Sequence, residues 1–351
     1  MVMLLAGDVG GTKSLLGLYL MEKGKIRQAA FKRYTSCAWD GLGSMLKDFL
    51  VNHCKALEIP QYGCIALAGP VNDGTVYITN LNWRVETNEL NAIAKLKQLK
   101  LVNDFGILPK CLPLLNDKQQ ITLHQGEIDR DPQGLMAVVG AGTGLGLARG
   151  VRTNSGMILL SSEGGHCEFA PRNQLEWELA KWLKTEHMVN RLSVERVASG
   201  TGLGYLTYWL LHQAGNMKHP LQELAEKWRQ QQRHPKPDAN YPDLPALVSQ
   251  AATNGDPLAQ QALEIWLGIY GAAAGDIALE ELPTGGFWVA GGTAAKHLIG
   301  LQSDTFVEAF LNKGRLRQAL KKITVLALLE PEAGLMSAAF EAARMATTSG
   351  C

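Results

Sequence analysis

The chain has 351 residues, of which 34 are Lys or Arg and 33 are Asp or Glu. This length is long for one hydrophobic core and suits two domains. The balanced charge excludes a strongly basic nucleic-acid-binding protein and gives no reason to expect an anionic membrane as partner, so the substrate can be uncharged.

The N-terminus lacks the features of a secretory signal, because its apolar run is short and no basic residues precede it. No run approaches the 18 or so apolar residues of a transmembrane helix. The six cysteines are scattered, without the paired spacing of a zinc site. We therefore predict a cytoplasmic protein with reduced, mostly structural thiols.

The first predicted element, Leu4–Leu20, is a strand, a glycine turn and a second strand. Gly10 and Gly11 have no Cβ, so the amide N–H groups of the turn can close around a phosphate. Asp8 lies on the rim of the same turn, where a carboxylate can hold Mg²⁺ directly or through water. The turn predicts a site for nucleotide phosphates and a metal ion.

Two other interpretations apply to this turn. A pair of glycines is most often a simple hairpin turn. The segment Gly7–Ser14 would also be a P-loop if position 12 were Gly instead of Thr. A P-loop must open a helix, however, and the run after Ser14 contains Gly17 and ends in a turn at Met21–Lys25, which argues against it.

The segment Met136–Arg149 repeats the pattern of strand, glycine turn and strand. In this second copy Val139 stands opposite Asp8. Two phosphate-binding hairpins with one acidic member are what a nucleotide site between two similar domains requires. Further glycines follow at Ser199–Gly204 and at Gly291–Gly292, and no dinucleotide-binding G-x-G-x-x-G is completed in the second hairpin.

Hydrophobic periodicity predicts the remaining elements. The predicted strands are Lys25–Thr35, Tyr62–Ala68, Thr75–Ile78, Leu99–Val102 and Gly285–Ala290. The predicted helical segments are Gly41–Leu57, Leu175–Leu183, Leu203–Gln213, Pro257–Leu282 and Glu332–Met345. In Pro257–Leu282 we expect three glycines to allow close packing against a neighbour. The proline-rich Gln230–Pro245 is predicted to be a surface loop.

This order of elements predicts mixed sheets with helices outside and ligands at the strand ends. The composition shifts after Pro109 and Pro113, which we take as the domain boundary. We predict a small α/β domain of residues 1–112 with 333–351, and a large α/β domain of residues 113–332.

Two short segments carry the residues that we expect to do chemistry. Asn103 and Asp104 follow a predicted strand, where an Asp is either a helix cap or a catalytic group. Glu163 and His166 flank two glycines in a turn that cannot be regular helix, and the pair suits neighbouring hydroxyl groups. Glu195 is a weaker candidate, because an exposed charge beside an arginine is common.

The motifs together resemble the bacterial glucokinase family, in the hexokinase branch of the actin-like ATPases, and the similarity extends over nearly the whole chain. They occur in the family's order and at about its spacing. The motifs are GDVGGTK (7–13), TNLNW (79–83), LVNDF (101–105), GAGTGLG (140–146), EGGHCEFAP (163–171), SVERVASGTGL (193–203) and VAGG (289–292).

The resemblance implies two actin-like ATPase (ribonuclease H-like) domains with a cleft between them, ATP and Mg²⁺ as cofactors, and phosphorylation of glucose at its 6-hydroxyl to glucose 6-phosphate. It also implies a homodimer without nucleic-acid or membrane partners. Asp104 would be the general base, Asp8 would serve Mg²⁺, and the other sugar and nucleotide ligands would come from both halves of the chain. The implied sugar ligands are Asn103, Glu163, His166 and Glu195, and the implied ATP-binding residues are Asp8, Val9, Gly10, Gly11, Thr12, Lys13, Gly142, Thr143 and Gly144.

Alternatives stay open at the level of sequence. The kinase could act on another hexose or an N-acetylated sugar, and polyphosphate could replace ATP. A chaperone or filament subunit of the actin-like class has no use for the Glu163–His166 turn. We expect no sugar-responsive regulator, since the chain begins on the first strand and leaves no room for a helix-turn-helix.

Overall fold

The computed structural model describes residues 1–54, 59–154, 156–213, 218–234 and 241–348. Two compact units are present. The first comprises Met1–Asn116, Ala148–Ser161 and Glu330–Cys351, and the second Asp117–Leu147 and Ser162–Leu329. The predicted domain limits stay a prediction, because compactness does not show which segments fold independently.

Strands in the described residues are numbered in chain order. They are β1 (Val2–Val9), β2 (Lys13–Glu22), β3 (Lys25–Thr35), β4 (Tyr62–Leu67), β5 (Thr75–Ile78), β6 (Trp83–Glu86), β7 (Gln98–Asn103), β8 (Gln120–His124), β9 (Leu135–Ala141), β10 (Leu145–Thr153), β11 (Gly156–Ser162), β12 (Gly286–Ala290) and β13 (Val325–Leu328).

The α-helices of the same residues are numbered in the same way. They are α1 (Leu42–His53), α2 (Thr87–Ala94), α3 (Gln174–His187), α4 (Glu195–Ala198), α5 (Gly200–Leu211), α6 (Gln222–Arg233), α7 (Leu244–Thr253), α8 (Pro257–Glu281), α9 (Gly292–Lys296), α10 (Leu298–Leu301), α11 (Asp304–Leu311), α12 (Arg317–Leu320) and α13 (Ala333–Thr348).

The first sheet has the strand order β3-β2-β1-β4-β7. β1, β2 and β3 are antiparallel neighbours, whereas β1, β4 and β7 run parallel. Val9 is paired with Leu67, and Leu67 with Asn103, so the carboxyl ends of the three parallel strands meet at one edge. Ligands of α/β sheets bind at such an edge.

The second sheet repeats this order. Its strands are arranged β11-β10-β9-β12-β13-β8, in which β9, β12 and β13 are parallel and β8 is an added antiparallel edge strand. The two glycine hairpins, β1-β2 and β9-β10, therefore occupy the same place in their sheets. The duplication predicted from the sequence pattern is confirmed at the level of topology.

Alternating side chains of β1 fill two separate cores in the first unit. On one face Leu5 and Val9 pack with side chains of α1. On the other face Leu4 and Ala6 pack with Leu335 and other apolar side chains of α13. A strand covered on both faces must be apolar at nearly every position, which is the pattern of β1.

The second unit has one large core built around α8. Trp266 and Tyr270 of this helix are fully buried. α8 is long and apolar enough to cross a membrane by length and composition, but 72% of its most apolar window is buried inside the protein. Burial of this extent is typical of a core helix of a soluble protein.

The three glycines of α8 were predicted to allow close packing against a neighbour. Two of them bring the helix close to α11. A Cβ at Gly271 would collide with the carbonyl oxygen of Phe306, and one at Gly275 with that of Phe310. A Cβ at Gly268 would meet no protein atom closer than 3.4 Å, and that atom is the end of the Arg172 side chain.

The predicted surface loop Gln230–Pro245 is wrong at both ends. α6 continues to Arg233, because Arg229 and Arg233 both donate to the buried carboxylate of Glu186, at 2.7 and 2.8 Å. α7 begins at Leu244, where the Asp243 side chain accepts from the Ala246 N–H. Residues 235–240 lie outside the described residues.

The predicted helix Gly41–Leu57 begins one residue later and is observed as Leu42–His53, and residues 55–58 lie outside the described residues. The other predicted strands and helices are present with boundaries shifted by a few residues. The strands β6, β8, β11 and β13 were not predicted.

We expect Gly271→Ala to destabilise the protein by about 1–3 kcal/mol, because the added methyl group forces α8 away from α11. Helix propensity alone favours Ala over Gly by about 1 kcal/mol. Gly268→Ala is the matched control and should be neutral or slightly stabilising. Thermal midpoints of both variants test this, and equal midpoints would contradict the packing explanation.

Candidate active site

The glycine turn between β1 and β2 is held by hydrogen bonds from its own strands and from the segment after β3. The Gly10 N–H donates to the carbonyl of Lys13 at 3.0 Å. The Ser36 hydroxyl donates to the carbonyl of Gly10 at 2.8 Å and lies 2.9 Å from the Ser14 hydroxyl. The turn is therefore fixed in one conformation without a ligand.

Asp8 lies beside the beginning of α13. A Cβ at Gly334, in the first turn of that helix, would lie 2.6 Å from Oδ2 of Asp8. Glycine at this position leaves the space that the carboxylate occupies. The positive end of the helix dipole favours a negative group there.

Burial, the largest cause, and the charge of Asp104 together raise the pKa of Asp8 to about 6, against the opposing effect of the Lys13 ammonium. The carboxylate is thus partly protonated just below neutral pH. A cation near Asp8 would relieve both the desolvation and the repulsion.

Asp104 follows β7 at the carboxyl edge of the first sheet. Its backbone N–H donates to the Leu67 carbonyl at 3.0 Å. Its Oδ1 accepts from the Phe105 N–H at 2.8 Å and from Nδ2 of Asn103 at 3.2 Å. No described residue donates to Oδ2, which leaves that oxygen to act on a ligand.

Asn103 is the residue that orients Asp104. Its Nδ2 also donates to the Gly69 carbonyl at 3.1 Å, and its Oδ1 accepts from the Gly106 N–H at 2.7 Å. Burial raises the pKa of Asp104, against the hydrogen bond from Phe105. A raised pKa makes this carboxylate a better proton acceptor near neutral pH.

The single carboxylate of Asp8 fits a magnesium ion whose other ligands are substrate phosphates and water. Within the described part of the chain, no three His, Cys, Asp or Glu side chains are grouped as a metal cage. Mg²⁺ is commonly held by one or two carboxylates together with substrate phosphates and waters. Asp8 supplies a carboxylate of this kind at the rim of the first glycine turn.

The second glycine turn joins β9 to β10, and it is held by the segment that begins α5. The Gly142 N–H donates to the Gly144 carbonyl, the Gly200 N–H donates to the Gly142 carbonyl, and the Thr201 hydroxyl donates to the Thr143 carbonyl, each at 2.8 Å. The third glycine cluster of the sequence therefore packs on the second one. Thr201 is a residue that the sequence analysis did not single out.

Gly165 lies in a short 3₁₀ turn, Gly164–His166, after β11. A Cβ at Gly165 would collide with the carbonyl oxygen of Leu145 at the start of β10. Only glycine lets this turn lie against the second hairpin. The interpretation of the paired glycines as a fixed turn agrees with this contact.

Three of the predicted sugar ligands are brought together at this turn. Nε2 of His166 lies 3.8 Å from Glu163 Oε2, and Nδ1 of His166 lies 3.9 Å from Glu195 Oε1. Both distances are too long for direct hydrogen bonds, so the imidazole of His166 is not hydrogen-bonded to either carboxylate. Glu163 is 88% exposed and Glu195 29% exposed.

Glu195 also contacts the second hairpin. Its Oε2 accepts from the Leu145 N–H at 3.0 Å, and a Cβ at Gly144 would collide with the same oxygen. The sequence analysis rated Glu195 as the weakest candidate because of its neighbour Arg196. The structure gives Glu195 a fixed position between the hairpin and His166 instead.

Replacing Asp8 by Asn should stabilise the ligand-free protein at neutral pH. A folded-state pKa of about 6, raised from 3.8, means that ionised Asp8 costs about 3 kcal/mol at pH values above 6. The penalty shrinks as the pH falls from 6 towards 4, because the folded state then takes up the proton. The stability gained in Asp8→Asn should therefore be largest above pH 6 and should shrink as the pH falls from 6 towards 4.

Thermal midpoints at pH 7.5 and pH 4.5 measure this gain, with exposed Asp40→Asn as the control. A gain for Asp8→Asn that is the same at both pH values would contradict the raised pKa of this group.

Comparison with known proteins agrees with the architecture and the motifs. A family model described as Glucokinase matches residues 5–345. A curated glucokinase of Synechocystis sp. (strain ATCC 27184 / PCC 6803 / Kazusa) is 37% identical over 351 residues, which covers 97% of this chain and 98% of that protein. One of Nostoc sp. (strain PCC 7120 / SAG 25.82 / UTEX 2576) is 36% identical over 348 residues, covering 98% and 100%.

A solved structure of a glucokinase from an Antarctic psychrotroph superposes with a TM-score of 0.79 at 27% identity, covering 97% of this chain and 99% of that one. This match confirms the predicted fold class, two actin-like ATPase domains with mixed sheets flanked by helices. Matches that extend over nearly the whole chain show that the protein belongs to the glucokinase family.

Proposed function

We propose that the protein transfers the γ-phosphoryl group of ATP to the 6-hydroxyl of glucose, giving glucose 6-phosphate and ADP. The family membership supports the reaction. The observation that carries the proposal is the arrangement at one edge of the first sheet. There the Asp104 carboxylate is oriented by hydrogen bonds to Oδ1, its Oδ2 accepts from no described residue, and its charge raises the pKa of Asp8.

In this proposal Asp104 accepts the proton of the attacking hydroxyl. Phosphoryl transfer needs little covalent chemistry from the protein, but it needs the hydroxyl placed in line, the negative charge balanced and a base. The hydrogen bonds from Asn103 and Phe105 to Oδ1 keep the carboxylate in one orientation. The free Oδ2 is the atom that takes the proton.

The sugar would be held by Asn103, Glu163, His166 and Glu195. Carboxylate oxygens accept from sugar hydroxyls, and the imidazole both donates and accepts. The gaps of 3.8 and 3.9 Å around His166 are wide enough for each of its nitrogens to bind a hydroxyl instead of a protein carboxylate. A ring of hydroxyls fits this alternation of groups.

The phosphates of ATP would lie against the two glycine hairpins. The residues proposed for this are Asp8, Val9, Gly10, Gly11, Thr12, Lys13, Gly142, Thr143 and Gly144. Both turns contain exposed residues and glycines that leave no Cβ in the way of a phosphate, and Lys13 adds a positive charge. Mg²⁺ bound near Asp8 would balance phosphate charge.

Glucose is proposed over other hexoses and N-acetylated sugars because the family is named for it. A panel of these sugars in an assay that couples ADP release to a colour change, with polyphosphate as an alternative donor, tests the acceptor and the donor together. A cytoplasmic homodimer is also proposed, and light scattering after size exclusion measures the oligomeric state.

Asp104→Asn should lower kcat by about 10²- to 10⁴-fold and leave glucose binding within a few-fold of the wild type. Asn keeps the shape and the hydrogen bond from Phe105 but cannot take the proton. The coupled ADP assay measures kcat, and calorimetry measures glucose binding. Near-normal turnover in Asp104→Asn, with the control Asp40→Asn unchanged, would place the base elsewhere.

Glu163→Gln and His166→Ala should each weaken glucose binding by roughly 1–3 kcal/mol, because a hydroxyl then loses its partner in the bound state. ATP binding should barely change. Exposed Glu168, two residues beyond the turn, supplies the matched control Glu168→Gln. Titration calorimetry decides the point, and loss of ATP binding with intact glucose binding would show that the turn serves the nucleotide.

A further inference from the structure

A second polar cluster lies in the first unit, away from the residues assigned above. The carboxylate of Glu341, on α13, is buried and faces three cations. Lys110 Nζ lies 2.6 Å, Lys100 Nζ 2.8 Å and the Arg344 guanidinium 3.0 Å from its oxygens. Positive charge is in excess over negative charge at this point.

Glu341 cannot supply more negative charge to balance the three cations. Although burial raises the pKa of Glu341, the hydrogen bonds from Arg344, Lys100 and Lys110 hold it at about 2, so the carboxylate is already fully charged at neutral pH. Lys110 is 7% exposed. A largely buried ammonium in a cluster with surplus positive charge is stabilised by a further anion.

A cavity of about 180 Å³ opens beside this cluster. Lys110 and Arg344 form part of its wall, and the exposed Arg152 of β10 lies on it as well. None of the described side chains that line the cavity is acidic. Its remaining wall is partly apolar, with Leu114 and Phe340 as examples.

We propose that this cavity is a binding site for a phosphoryl group, as free phosphate or as the phosphate ester of a small metabolite. Two guanidinium groups and an ammonium supply several N–H donors, and guanidinium matches phosphate in planar, paired hydrogen bonds. The volume exceeds that of a phosphate ion, and the apolar wall suits the carbon skeleton of an ester.

Bound ligand at this cavity would act on elements that carry the proposed chemistry. Lys100 belongs to β7, which ends at Asn103 before Asp104. Glu341 and Arg344 belong to α13, whose first turn contacts Asp8 through Gly334. An anion that draws Lys110 or Arg344 from Glu341 changes the contacts of α13, and Glu341 is also the residue that pairs with Lys100 of β7. This consequence rests on the proposed function, whereas the binding site itself does not.

The test is titration calorimetry of inorganic phosphate into the full-length protein at low ionic strength. Arg152→Gln removes an exposed cation from the cavity wall without touching the Glu341 cluster, and Arg27→Gln, on the exposed face of β3, is the matched control. We expect Arg152→Gln to weaken one phosphate-binding event by about tenfold. Arg27→Gln should leave it unchanged.

Glucose 6-phosphate and uncharged glucose distinguish the sources of the phosphoryl group. If the ester is the ligand, its affinity falls in Arg152→Gln more than that of free phosphate, and if free phosphate is the ligand, only phosphate is affected. Glucose binding stays the same in either case. Phosphate binding by Arg152→Gln that equals the wild type overturns the proposal. The calorimetry does not depend on turnover. A protein that binds phosphate through Arg152 but does not phosphorylate glucose would therefore refute the proposed function and leave the binding site standing.

Discussion

The burial of two carboxylates at the carboxyl edge of the first sheet is the constraint on which the candidate site depends. Asp8 is the last residue but one of β1 and Asp104 follows β7; burial and, to a smaller extent, the charge of Asp104 raise the pKa of Asp8. The fold keeps both groups by placing Asp8 at the start of α13 and by giving Asp104 two hydrogen bonds at Oδ1. A cation bound near Asp8 would offset the cost of its ionisation, which is a physical reason for the proposed Mg²⁺ to bind there together with the nucleotide phosphates.

Glycines, which have no Cβ atom, determine where the Glu163–His166 turn and Glu195 lie. Gly165 lets the Glu163–His166 turn lie on the Leu145 carbonyl, and Gly144 makes room for Glu195. The Glu195 carboxylate therefore contacts a sugar-ligand candidate through one oxygen and the phosphate hairpin through the other. Within this unit Glu195 therefore lies between the residue proposed to bind the sugar and the hairpin proposed to bind the phosphates.

Much of the fold could be predicted because its signals are local. The glycine hairpins, the buried strands and the amphipathic helices have their patterns within a few residues, and the repeat at Met136–Arg149 reveals the duplicated sheet order. Boundaries set by distant partners could not be predicted. α6 continues to Arg233 because Glu186, 47 residues away, holds Arg229 and Arg233. The strand β13 is short, and its pairing with β8 cannot be deduced from either segment alone.

The same distinction applies to the site. Asp8, Asp104 and the Glu163–His166 turn were recognisable because residue type and neighbouring glycines suffice to suggest their chemistry. The raised pKa values of Asp8 and Asp104 depend on burial that only the packed structure shows. Gly334 gave no signal, since nothing near residue 334 indicates that Asp8, more than 300 positions earlier, needs its space. Because α13 contacts Asp8 at its first turn and carries Glu341 in its later part, one helix joins the carboxylate edge to the cationic cluster.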